Sequence, residues 1–138
     1  DAAVLGIGQL LRDLLGGADA AVQARRIEAF VAAQPAFTFR PYPGRASGYV
    51  VDNVQTVLHC FSTQTDFEAA VIAAVNQGDD ADTTGALVGM LAGARRGARA
   101  LPGRWLDRLS RAVVQDITDQ ASALVALSLD RQSLPLTS

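Results

Sequence analysis

Residues 76–97 read NQGDDADTTGALVGMLAGARRG, and the second half of this stretch decides the fold class. Glycines stand at 85, 89, 93 and 97, four residues apart, in a run otherwise suited to a helix. A spacing of four returns to one side of an α-helix. The helix predicted over about Thr83 to Gly97 therefore carries one face without side chains. Each such glycine costs ~1 kcal/mol against alanine in an isolated helix. What it gains is close approach of another backbone or of a ligand. The expected partner is another helix, which a segment outside this chain could supply.

Helical periodicity continues on both sides. Asp1 is placed to cap a helix whose apolar face reads Val4, Leu5, Ile7, Leu11, Leu14 and Leu15. Gly16-Gly17 stops it. A second helix is predicted from about Asp19 to Ala33, with Val22, Ile27, Phe30 and Val31 facing inward, and Gln34-Pro35 ends it. Residues 35–48, PAFTFRPYPGRASG, hold three prolines and two glycines. They read as an ordered, irregular loop anchored by Phe37, Phe39 and Tyr42. A helix fits Val50 to Phe61. Thr65-x-x-Glu68 has the form of a capping box for a helix through Val75. Beyond the glycine helix, Pro102 suits a first turn that carries Trp105, Leu106 and Leu109. A last apolar helix spans about Val113 to Leu129, and residues 130–138 form a tail. No strand pattern and no internal repeat appear. The expected fold is all-α, in a single domain over 1–138.

Composition narrows the function classes. The chain has 138 residues, 49% hydrophobic and 19% charged, with 14 acidic and 12 basic residues. A net charge of −2 gives no electrostatic reason to expect nucleic acid or an anionic membrane as partner. Every basic residue is arginine. Arg95, Arg96 and Arg99 cluster at one helix end, where a solvated face complementing the helix dipole is the default expectation. A single cysteine, Cys60, excludes an internal disulfide, and one cysteine with one histidine, His59, excludes the usual zinc sites. Both read as residues of an apolar helix face, as does Trp105. No run of eighteen apolar residues exists, and no signal peptide is visible. The expected location is the cytoplasm. The chain begins at Asp1 and runs straight into a helix, as a piece of a longer polypeptide would.

Against this sparse charge the loop before the glycine helix stands out. Asp79, Asp80, Asp82, Thr83 and Thr84 place three carboxylates and two hydroxyls in six residues. Hard oxygen donors of this kind suit Mg²⁺, Mn²⁺ or Ca²⁺. Asp-x-Asp lets Asp80 and Asp82 converge on one side of a turn, and Thr83 can add a third oxygen. The pattern is not an EF-hand, because Leu91 stands at the twelfth loop position from Asp80, where a glutamate belongs. Two readings stand from the residues alone. Either the loop is a metal half-site, or Asp82 or Thr83 caps the helix and the other acids are solvated. Three protein oxygens are too few for an octahedral ion, so a metal would need further ligands from water or from elsewhere in the protein.

The ordered set Gly48-Tyr49-Val50-Val51-Asp52, then Asn76 to Ala86, then Gly89, Ala92-Gly93-Ala94 and Leu101-Pro102 with Trp105 resembles the C-terminal part of the ADP-ribosylglycohydrolase family. Within that family the likeness is nearest to the branch that regulates nitrogenase by acting on dinitrogenase reductase. It is clearest over 35–109. The resemblance implies an all-α, roughly orthogonal bundle around two Mg²⁺ or Mn²⁺ ions. It implies cleavage of ADP-ribose from a modified protein side chain, arginine in this branch. Asp80, Asp82 and Thr83 match the family's C-terminal metal ligands. Tyr49, with the adjacent Gly48, matches the lining of the ADP-ribose cleft, and Asp52 matches a supporting position. Two departures matter. The family has Gly-Gly-Asp where this chain has Gly78-Asp79-Asp80. The family's other ligands, in a Gly-rich segment and a Thr-Asp-Asp triplet, are absent from these residues. The resemblance therefore implies an enzyme whose other half, in the same polypeptide or another chain, completes the ion site. This chain alone is expected to be inactive. The alternative is a truncated, non-catalytic relative acting as a binding or structural module.

Overall fold

A computed structural model describes residues 1–133, with side chains described through residue 127. It contains seven α-helices among the described residues and no strand. The residues group into two compact units, Asp1–Leu101 and a second beginning at Pro102.

In the first unit, α1 (Ala2–Leu15) and α2 (Ala20–Ala33) form a hairpin. The Asp19 carboxylate accepts the Val22 N–H at 2.8 Å, satisfying a free donor of the first turn of α2. An Arg26–Asp13 salt bridge at 2.5 Å ties the two helices. The inward face of α1 differs from the expected one. Ala3, Gly6, Ile7, Leu10 and Leu14 are buried, whereas Val4, Leu5 and Leu15 are exposed. Periodicity marked a broad apolar stripe, and packing uses the side of it that includes Gly6, where the Phe30 ring lies against the backbone.

The loop after α2 opens with a 3-10 turn at Pro35–Phe37. Its aromatics anchor it as expected. Phe37 and Phe39 are buried, and Tyr42 stacks on His59 with ring centroids 4.2 Å apart. The Tyr42 hydroxyl lies 2.9 Å from the Thr56 hydroxyl and donates to Gln77 at 3.2 Å.

The centre of the unit is α3 (Val50–Thr63), α4 (Phe67–Val75) and α5 (Ala81–Arg96). Val54, Val57, Leu58 and Phe61 of α3 and Val88 and Leu91 of α5 are almost completely buried. Cys60 is buried among them, and burial pushes its thiol pKa up. Helices α3 and α5 run side by side in the same direction. Asn53 meets Asp80 at one end, and Phe61 meets Arg95 at the other.

The glycine face of α5 is covered by α4 of the same chain, so no outside helix is needed there. A Cβ at Gly85 would meet Val75, one at Gly89 would meet Val71, and one at Gly93 would meet Phe67. Each step of four up α5 matches a step of four down α4, so the pair is antiparallel. Gly97 does not join this stripe. It ends the helix at φ +77°, a conformation that favours glycine. The start of α4 also corrects the sequence reading. Asp66, rather than Thr65, is the cap, and its carboxylate accepts the Ala69 N–H at 2.9 Å.

The second unit holds α6 (Gly103–Leu106) and α7 (Arg111–Ser133). Pro102 precedes α6, whose four residues stop short of Leu109. Trp105 is half-buried. Helix α7 starts earlier and ends later than expected and takes in the first residues of the predicted tail. The rest of that tail lies outside the described residues. Val113, Ile117, Leu124, Val125 and Leu127 of α7 are exposed, so its apolar character does not mark a buried face. No helix among the described residues is long and apolar enough to cross a membrane.

Candidate functional site

The acidic loop sits at the start of α5 because the chain must reverse between two antiparallel helices. Gly78 at φ +77° and Asp79 at φ +48° make that reversal with two consecutive left-handed residues. The second position favours glycine, and aspartate is among the few other residues that enter this region readily. Asp79 thus keeps the turn, and its side chain is exposed.

Asp80 is the residue before α5, and its side chain makes no capping bond to the helix. Asp80, rather than Asp82 or Thr83, occupies the cap position, although Asp82 meets one free donor of the first turn. The Asp82 carboxylate accepts the N–H of its neighbour Thr83 at 3.0 Å, and the buried Thr84 hydroxyl donates to the Asp80 carbonyl at 3.0 Å. The Asp80 carboxylate accepts from Asn53 Nδ2 at 2.5 Å, reaching across to α3. Its backbone N–H donates to the Ala46 carbonyl at 3.0 Å. Hydrogen bonding from Thr83, then from Asn53, holds the Asp80 carboxyl below the usual carboxylate range. An acceptor kept ionised by neutral donors carries a full negative charge.

The other candidates lie on the neighbouring element. Gly48 and Tyr49 precede α3 and are exposed, with Tyr49 at 62%. The Asp52 carboxylate accepts the Ser47 hydroxyl at 2.5 Å, and that hydroxyl oxygen takes the Tyr49 N–H at 3.3 Å. Asp52 thus shapes the loop that presents Tyr49. Asn53, whose N–H bonds the Tyr49 carbonyl at 3.1 Å, joins this loop to Asp80. The structure therefore brings Asp80, Asp82 and Thr83 into one turn and sets Gly48 and Tyr49 beside it.

Sequence reasoning missed Asn53. It is buried, and its Oδ1 has no hydrogen-bond partner. The available signal was an amide next to Val54 and Val57 on the buried face of α3, a costly placement unless the amide is used.

The donor set is three hard oxygens, from Asp80, Asp82 and Thr83, and fits Mg²⁺ or Mn²⁺ in kind. It does not suffice in number. Among the described residues no group of three or more His, Cys, Asp or Glu side chains is placed to hold a metal ion.

Residues 2–133 match the model of the ADP-ribosylglycohydrolase family, a wider span than the motifs alone suggested. The chain is 43% identical over 128 residues to an ADP-ribosyl-[dinitrogen reductase] glycohydrolase of Rhodospirillum rubrum, covering 93% of this chain and 44% of that protein. It is 40% identical over 65 residues to the ADP-ribosylarginine hydrolase Tri1 of Serratia proteamaculans, covering 47% of this chain and 18% of that protein. A second protein of that name, from Pseudomonas putida, is 34% identical over 82 residues, with 56% and 22% covered. The chain spans less than half the length of each of these relatives.

Proposed function

Because the chain belongs to the ADP-ribosylglycohydrolase family, we propose that it forms the C-terminal part of a metal-dependent hydrolase that removes ADP-ribose from an arginine side chain, with dinitrogenase reductase as the substrate protein. The Asn53–Asp80 bond carries this reading. It commits a buried amide of one helix to holding an ionised carboxylate at the mouth of another, beside Asp82 and Thr83. A helix cap would not need that arrangement.

In this reading Asp80, Asp82 and Thr83 hold Mg²⁺ or Mn²⁺ together with ligands outside these residues. Bound ions would supply Lewis acidity toward the ribose hydroxyls and toward a water that attacks as the N-glycosidic bond breaks. Asp80 contributes a carboxylate kept ionised by Thr83 and Asn53, so it arrives ready to ligate. Asp82 supplies the second negative charge and Thr83 a neutral oxygen. The exposed Tyr49 ring offers a face for the substrate, and Gly48 leaves the approach to it open. The residues shown here lack the rest of the ligand set, and the remaining half of the site comes from the same polypeptide or another chain.

Calorimetry with Mn²⁺ and with ADP-ribose tests the proposal on the intact gene product, on this chain and on Asp82→Ala. Binding by the intact product that Asp82→Ala abolishes, with this chain weak or silent, supports a shared site. Silence of both would leave the acidic loop as a helix terminus only and would favour the non-catalytic module.

A further inference from the structure

We propose that a cavity at the opposite end of α5 from the acidic loop binds a small oxyanion, a phosphate or carboxylate group. The cavity is about 420 Å³ and lies between α2, the Arg40 loop and the C-terminal ends of α3 and α5. That is the size of a small-molecule site. Three guanidinium groups, of Arg40, Arg95 and Arg96, line it, and Glu28 is the carboxylate on its wall. Glu28 forms no ion pair with them, and the Arg26–Asp13 salt bridge lies elsewhere. The wall therefore holds excess positive charge in a protein whose net charge is negative.

A second, independent observation is how the wall arginines are held. Arg95 is not the solvated arginine expected from its place at a helix end. Its guanidinium lies 3.4 Å above the Phe61 ring and donates to the Phe61 and Gln64 carbonyls, each at 3.1 Å. These contacts fix the group in place on the cavity wall. Burial, then the charge of Arg96, lowers Arg95 to about 10, a penalty that a bound anion relieves. Arg96 is held similarly, donating to the Thr65 carbonyl at 2.7 Å. Preorganised donors in a fixed fork are the protein's usual means of holding phosphate or carboxylate. The pocket lies roughly 20 Å along α5 from Asp80 at 1.5 Å per residue, so it is separate from the candidate metal turn.

The test is calorimetric titration of the intact gene product with inorganic phosphate and, separately, with malonate. Ionic strength is held constant with chloride, and EDTA removes any metal that could bind phosphate itself. Saturable binding is expected for at least one anion, and the arm that responds identifies phosphate or carboxylate as the ligand class. Arg40→Gln and Arg96→Gln are each expected to weaken binding about tenfold, as loss of a charge-assisted hydrogen bond does. Arg40 and Arg96 are exposed, so both variants should retain the native circular dichroism spectrum. The proposal is overturned if neither anion binds saturably, or if both variants bind as tightly as the native protein.

Discussion

Adding one methyl group at each glycine of α5 should give different results at positions the sequence makes look equivalent. Alanine is ~1 kcal/mol better than glycine inside a helix, so propensity favours all three substitutions. The space available decides the rest. At Gly89 the nearest atom to a new Cβ is a Val71 methyl at 3.7 Å, and at Gly93 it is Phe67 Cε2 at 3.8 Å. Both are ordinary contacts, so Gly89→Ala and Gly93→Ala should each stabilise by about 1 kcal/mol. At Gly85 the Val75 Cγ2 methyl lies 2.9 Å away, closer than carbon atoms tolerate. Overpacking costs about 1–3 kcal/mol, which exceeds the propensity gain, so Gly85→Ala should destabilise by about 1 kcal/mol. Val75 is 45% exposed, so Val75→Ala alone should cost little, and combined with Gly85→Ala it should restore the propensity gain. The assay is urea unfolding of the intact protein, analysed as a double-mutant cycle. The register of α4 on α5 would be refuted if Gly85→Ala stabilised as much as Gly89→Ala, or if its coupling to Val75→Ala fell below about 0.5 kcal/mol.

Other expectations follow from single contacts. Asn53→Ala should lower Mn²⁺ affinity of the intact protein about 10–100-fold with little change in fold, since residues that orient ligands have effects of that size; unchanged affinity by calorimetry would remove Asn53 from the site. Asp66→Ala should cost about 1 kcal/mol in urea unfolding and Thr65→Ala much less, because the Asp66 carboxylate makes the cap. Asp79→Gly should stabilise by about 0.5–1 kcal/mol by relieving the left-handed aspartate, partly offset by glycine's greater chain entropy; a clear loss of stability would mean that the Asp79 side chain makes a contact worth keeping. Cys60 should react with a thiol reagent at pH 8 far more slowly in the native protein than in urea, because burial both shields the thiol and raises its pKa. Equal rates would show that the centre of α3 opens readily.

Local pattern determined much of this protein. Helix formers, Gly16-Gly17, Asp19 and Gly97 set where elements begin and end, because those residues act on backbone groups within a turn of themselves. The clustering of Asp80, Asp82 and Thr83 was legible for the same reason: three residues in one turn cannot be far apart. The family likeness rested on such short motifs too. Tertiary structure decided what lies across the chain. Only packing selected Gly6 and Leu10 over Val4, Leu5 and Leu15 as the inner face of α1, because an apolar stripe wider than its contact surface leaves the choice to the neighbour. Only packing laid α4 on the glycine stripe, 10 to 26 residues away in sequence between the facing positions. Asn53 reaches Asp80 over a separation of 27 residues, and Arg95 reaches Phe61 over 34. Contacts of that range depend on how whole helices seat against one another, and no period or spacing along the chain encodes them.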